Sequence, residues 1–323
     1  MASRYRTYSG WLRSKFGTTV YKVPVDGGFT CPNRDGKVGW GGCSYCNNES
    51  FRSAGTSPAK SVPKQIADGV AFLTRRYAAR RFLVYWQHYT NTYAPVERLE
   101  NLYRQALEAD SRIVGMTVGT RPDCLEEEKL ELLADLARRS YVSVELGLES
   151  FDDRTLERVG RGHDVACFLE AVDRVRSRGI DVCVHLVCGF PDESRERMLG
   201  YADRLNHLDI RFVKLHHLHV VRGTRLAKEY SVRPFPLFSA REWAEFTAEF
   251  LESLHPRIVL QRLFGWTSRR FLVAPVWPYS RAELHRLIEE TLEKRNAWQG
   301  KRLGYELNRS AEGFSLEGDD GYL

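Results

Sequence analysis

Cys31, Cys43 and Cys46 lie in the stretch FTCPNRDGKVGWGGCSYCNNES. The last two form a CxxC, a spacing that puts two thiolates on one metal centre. Cys31 sits twelve residues before Cys43, across a segment carrying Gly36, Gly39, Gly41 and Gly42. Such a segment can fold back without β-carbon clashes. No fourth cysteine follows nearby. Structural zinc sites are closed by four ligands, whereas an open coordination position receives a substrate or cofactor. Three thiolates with a vacant fourth position therefore read as a reaction centre. A zinc knuckle, or unrelated buried cysteines, is the plainer alternative.

The remaining cysteines do not make a second cluster, which needs a compact set of thiolates. Cys183 and Cys188 are five apart on one expected strand, so period-two alternation sends them to opposite faces. Cys124 and Cys167 fall in different units. A single thiol at the mouth, Cys124 or Cys188, stays open as a hydrogen donor.

The elements that must position the triad follow from hydrophobic patterning. Apolar runs occur at 82–86, 112–118, 141–148, 180–190 and 212–221, with a further strand near 19–25. Amphipathic helical patterns lie between them, near 63–80, 95–110, 125–139, 164–179 and 193–208. This alternation means βαβ units and a parallel sheet. Six units by residue 221 are fewer than a full eight-unit barrel needs. The expectation is an α/β fold, a partial (β/α)6 barrel over 1–221, with an α+β extension over 222–323 packed on it. The extension should hold a helix near 239–254, a strand near 257–263 and a helix near 281–296. The final residues, EGDDGYL, should fray. In such folds ligands bind at the carboxyl ends of the strands. The cysteine loop, at 31–46, follows the first strand and so belongs to that face.

Composition narrows the class. The 323 residues, 43% hydrophobic and 28% charged, are those of a globular protein. No run approaches a membrane span, and the basic N-terminus lacks the apolar core of a secretory signal. Seven cysteines without a disulfide-framework spacing fit reduced thiols in the cytoplasm. The net charge is +6, and only 10 of the 48 basic residues are Lys. Arginine suits phosphate recognition, but a GC-rich genome would produce the same bias, so nucleic-acid or phosphate binding stays open on charge alone.

The cysteine loop resembles the cluster motif of the radical S-adenosylmethionine (SAM) superfamily, with Tyr45 in the aromatic position before the last cysteine. The eleven-residue first gap is wider than the usual three and is similar to the Elongator catalytic subunit and to a bacterial family of uncharacterised relatives. The resemblance extends over roughly residues 5–290, including the stretch 262–277. VGTRPDCL (118–125) resembles the TRPD element of Elongator-type proteins, with Gly119 where they commonly carry Glu. VELGLESFDDRTLERVGRGH (144–163) resembles the fourth-strand signature shared with coproporphyrinogen dehydrogenase. HLVCGFPDESRERM (185–198) is similar to the fifth-strand GxP element beside the adenine, and VKLHHLHVVRGTRL (213–226) to a sixth-strand element ending in a GT turn.

The resemblance implies a [4Fe–4S] cluster on Cys31, Cys43 and Cys46, with SAM on the fourth iron. It implies a SAM pocket in which Glu149 meets the ribose hydroxyls and Arg161 the carboxylate, with Tyr45 and His185 as further contacts. YTNTYAP (89–95) stands where many members have Gly-Gly-Glu, so Thr90, Asn91 and Thr92 are the candidates for the methionine amino group. His185, His216, His217 and His219 otherwise read as satisfied sheet histidines. The implied activity is reductive cleavage of SAM to a 5′-deoxyadenosyl radical that abstracts hydrogen, with a flavodoxin or ferredoxin as electron donor. The implied substrate is tRNA, at a wobble uridine. A small-molecule or porphyrin-like substrate is the alternative within the enzyme class, and a zinc-dependent nucleic-acid-binding protein the alternative outside it.

Overall fold

The computed structural model describes residues 3–53 and 55–307, so the expectation that the last residues fray concerns a segment outside the described ones. The strands are β1 Val20–Val25, β2 Arg81–Trp86, β3 Ile113–Thr120, β4 Tyr141–Glu149, β5 Asp181–Cys188, β6 Phe212–His217, β7 Val220–Val221, β8 Val259–Arg262 and β9 Leu272–Ala274. Seven of them form one parallel sheet in the order β1-β2-β3-β4-β5-β6-β8, curled into a half-barrel. The strand expected near 257–263 is therefore not confined to an extension. As β8 it pairs with β6, so the sheet has seven strands rather than six. The helix Ala240–Ser253, expected near 239–254, is its crossover, a role the sequence hides because the link to it, 222–239, lacks the rhythm of the earlier units.

Crossover helices cover the convex face. Their apolar stripes and the outward residues of the strands, such as Val84, Val118, Val144 and Val184, make the main core. The expected helix near 193–208 is two short helices, Arg195–Leu199 and Tyr201–Asn206, meeting at Gly200. Helices Ala240–Ser253 and Arg281–Lys294 each begin with a capping box, Ser239 with Glu242 and Ser280 with Glu283. Among the described residues, no helix is long and apolar enough to cross a membrane.

The concave face is closed below and left open at one side. An unpredicted helix, Tyr8–Phe16, is capped by Thr7 and ended by Gly17 in the left-handed region. Its Tyr8 and Leu12 pack with Val20, Leu83, Cys183, Phe212 and Val259, all at the lower ends of their strands. Its sequence, YSGWLRSKF, has no helical apolar stripe worth reading, because it inserts among strands instead of lying on them. At the upper end, β7 pairs antiparallel with β9 and ties the C-terminal segment across the mouth.

Candidate cluster and cofactor site

The loop after β1 carries the triad onto the upper rim. Cys31, Cys43 and Cys46 line one cavity of about 250 Å³ together with Tyr45, Thr90, Glu149, Arg161 and His185. Five of the seven proposed SAM contacts thus meet at the triad. Asn91 and Thr92 do not. Asn91 is fully buried and donates to the Gly119 carbonyl at 2.7 Å, while the Thr92 hydroxyl donates to the Cys124 carbonyl at 2.6 Å. These side chains brace the turn after β2 against β3, so Thr90 alone of the three faces the cavity.

The sulfurs sit among N–H donors. Asn33 Nδ2 is 3.3 Å and Arg161 Nη1 3.7 Å from Cys43 Sγ, and Asn48 Nδ2 and Arg34 Nη2 are 3.5 and 3.9 Å from Cys46 Sγ. Such donors favour thiolates. Burial, reinforced by the neighbouring Cys43, nevertheless pushes the Cys46 thiol up to about 11, so a thiolate there calls for a cation. Three cysteine sulfurs lining one cavity, with N–H donors beside two of them, are a donor set that fits a cubane cluster with one iron left open.

Arg161 and Glu149 form the wall beside the triad. Arg161, 7% exposed, donates Nη2 to the Gly147 carbonyl at 2.5 Å and lies 3.5 Å from Glu149 Oε1, while its Nε has no partner. A buried guanidinium with a donor left over suits an incoming carboxylate. A Cβ on Gly147 would stand 2.5 Å from both Arg161 Nη2 and Glu149 Oε1, so only glycine leaves this wall intact. Glu149 has φ +77°, at a register shift in β4, a strained conformation for any residue with a Cβ. Burial raises its pKa, against the pull of Arg161 and Arg121. Tyr45 packs edge-on against Phe190.

Beneath the rim lies a floor that the sequence reading missed. Glu145 Oε1 accepts from Lys22 Nζ at 3.1 Å and Gln261 at 2.7 Å, and Oε2 from Tyr85 at 2.7 Å, Lys214 Nζ at 2.6 Å and His185 Nε2 at 3.1 Å. Six strands supply this one network. Burial alone would raise the Glu145 pKa, but Lys214 and Lys22 outweigh it and hold the carboxyl well below its usual range. Burial, and then the charge of Lys214, push His185 down to about 4, so it is neutral and donates from Nε2. Glu145, Cys183 and His185 come close enough together for one metal ion, but two ammoniums already occupy the carboxylate. The pattern that could have found the floor is a charged residue inside an apolar strand run: YKV, VEL and VKL.

Arg121 is a second missed residue. It grips Asp123 with two bonds, donates Nη1 to the Arg161 carbonyl at 2.8 Å, and lines the cavity. His216, His217 and His219 line the cavity too, His217 and His219 sharing a 2.8 Å bond and His217 stacking on Trp277. Cys183 points inward to the lower plug and Cys188 outward to the helices, as alternation requires. Neither Cys124 nor Cys188 lines the cavity.

Comparison with known proteins fits this geometry. The profile of the Radical SAM superfamily matches residues 31–205, and that of the Radical_SAM C-terminal domain residues 210–294. The uncharacterized protein YtqA of Bacillus subtilis is 35% identical over 298 residues, 92% of each chain. The tRNA uridine(34) acetyltransferase of Dehalococcoides mccartyi is 34% identical over 135 residues, 40% of this chain and 28% of its own. The structure of the archaeal Methanocaldococcus infernus Elp3 superposes with TM-score 0.67 at 17% identity, over 87% of this chain and 64% of that one, a likeness of fold.

Proposed function

Because the chain belongs to the radical SAM superfamily, we propose that it is a tRNA-modifying enzyme acting at a wobble uridine. Membership makes it an enzyme that uses a [4Fe–4S] cluster and SAM. When bound and reduced, the cluster supplies the electron that splits SAM into methionine and a 5′-deoxyadenosyl radical. In this reading Cys31, Cys43 and Cys46 would hold the cluster, and Asn33, Asn48 and Arg34, which donate toward Cys43 and Cys46, would stabilise the charge on its thiolates. Arg161, whose Nε has no partner, would take the SAM carboxylate, and Glu149 would accept from the ribose hydroxyls. Tyr45, Thr90 and His185 complete the pocket, and the plug formed by Tyr8 and Leu12 keeps water from reaching the radical from below.

The observation that supports the RNA substrate is the local kinship with the Dehalococcoides mccartyi tRNA uridine(34) acetyltransferase, which falls on part of this chain. A flavodoxin- or ferredoxin-type protein is the proposed reductant and the cytoplasm the proposed setting. The test is a comparison of tRNA nucleosides from cells with and without the gene, followed by restoration with purified, cluster-loaded protein, SAM and reductant. A wobble nucleoside that shifts on deletion and returns on addition supports the reading. An unchanged profile overturns it.

A further inference from the structure

We propose that the pocket between the end of β6 and the segment 265–279 seats one unstacked, uncharged pyrimidine base of an RNA loop, its polar edge held by the pair His217 and His219. The inference rests on the tRNA reading and adds to it the seat of the modified ring. The pairing of β7 with β9 holds the segment across the mouth. Beneath it lies a cavity of about 220 Å³, lined by His217, His219, Trp266, Arg269, Trp277 and Tyr279 together with mainly apolar residues. That is smaller than the roughly 300 Å³ at which pockets begin to enclose a drug-sized ligand, so it suits a single ring. It adjoins the cluster cavity, with which it shares His217, His219, Trp266 and Thr267. A ring seated there lies at the wall of the cavity that holds the triad.

The walls select against charge. Arg269, exposed, is the one formally charged side chain among the described lining residues, and there is no carboxylate among them. Burial pushes His217 well below the usual histidine range and His219 down to about 4, so both rings are neutral. A cation would find no counter-charge, and a multiply charged acid a single exposed arginine. A flat, neutral ring finds aromatic side chains instead, the platform on which unstacked bases rest. Trp277 is fixed in place: it stacks on His217 at 3.9 Å between centroids, and its Nε1 donates to the Phe238 carbonyl at 3.0 Å. Trp266 lines the same pocket while 40% exposed, with the Arg281 guanidinium 5.1 Å from its ring centroid.

The polar edge follows from one bond. His217 Nε2 and His219 Nε2 are 2.8 Å apart. With both rings neutral that bond holds one hydrogen, so one ring is protonated on Nε2 and the other on Nδ1. The two Nδ1 atoms therefore present one donor and one acceptor, whichever way the shared hydrogen lies. His217 Nδ1 is buried without a partner, a group that a ligand's hydrogen bond would satisfy. The imide edge of uracil is the complement, an N–H beside a carbonyl oxygen, and extruded bases are read on that edge. Gly265 lets the segment lie against these rings, since a Cβ there would stand 3.2 Å from His219 Cε1.

The experiment measures binding of an anticodon stem-loop to the full-length, cluster-loaded chain, with uridine, N3-methyluridine or an abasic residue at the wobble position. Wild type is expected to prefer the uridine loop to the abasic one by about ten-fold or more, the effect of one stacked base. It should prefer uridine to N3-methyluridine by about five-fold or more, since the methyl group removes the imide N–H. Trp266→Ala and His219→Ala should each bring the uridine loop down toward the abasic one, whereas a structural defect weakens all three loops alike. Iron content and thermal midpoint report whether each variant has folded. Free uridine has the same ring, so it is the competitor; displacement of the stem-loop at equal concentration would overturn the RNA source. If wild type prefers the uridine loop and both variants keep that preference, the base is bound elsewhere: the pocket assignment falls and the tRNA reading stands. Equal binding of all three loops by wild type overturns the pocket assignment in the same way. If wild type binds no stem-loop even at low salt, both fall together.

Discussion

The rim and the floor of the half-barrel are built on opposite plans. At the rim, the triad and the Glu149–Arg161 wall come from two short stretches of chain, the loop 31–46 and the end of β4 onward, which meet where Arg161 lies 3.7 Å from Cys43. At the floor, Glu145 is bonded by Lys22, Tyr85, His185, Lys214 and Gln261, one side chain from each of five other strands. The rim is polar where a ligand must be gripped and carries local strain at Glu149. The floor is bonded mainly among its own groups and makes one charge network in which two lysines share a carboxylate. Loss of function should therefore follow from damage at the rim, and loss of fold from damage at the floor.

The largest separation comes from Cys43→Ala. It should abolish SAM cleavage and cut iron and sulfide from about four each per chain, while the thermal midpoint of the cluster-free chain stays near that of cluster-free wild type. A cluster-free variant that unfolds would mean that Cys43 supports the fold as well. Glu145→Ala is the converse: it leaves two buried ammoniums uncompensated and should cost about 3–5 kcal/mol in urea denaturation. A loss below about 1 kcal/mol would show that the floor does not behave as one network.

Acidification sharpens the contrast. The Glu145 pKa is depressed on folding, so its contribution is present above the unfolded carboxylate range and is lost as pH falls below it. His185 is depressed to about 4, so between about 6.5 and 4 the unfolded chain binds the extra proton and stability falls with pH. The urea midpoint should drop through that window, and His185→Gln should flatten the slope by up to about 1.4 kcal/mol per pH unit. An unchanged slope would remove His185 from the account. The smallest effect belongs to the rim backbone: Glu149→Gly should be more stable than Glu149→Ala by about 1 kcal/mol, because only alanine retains a Cβ at φ +77°. Equal stabilities would mean that β4 relaxes there without strain.

Legibility in the sequence follows the same division. The triad was legible from its spacing, and Tyr45, Glu149 and Arg161 were placed beside it only through the resemblance of their segments to a known family; the structure brings all of them to one cavity. Asn91 and Thr92 were assigned to the pocket with Thr90, and only the backbone turn after β2 sends those two inward to Gly119 and Cys124. The seventh strand was read as part of an extension, since a four-residue run such as VLQR carries no mark of its partner.

What the residues alone determined is the strand–helix alternation, the parallel sheet and the cysteine triad at its upper face, because apolar period and motif spacing are local quantities. What the tertiary structure decided is the floor, the lateral opening and the helix that plugs the base. Each depends on side chains from strands far apart in the chain meeting at one register, and no local pattern encodes where a curled sheet stops.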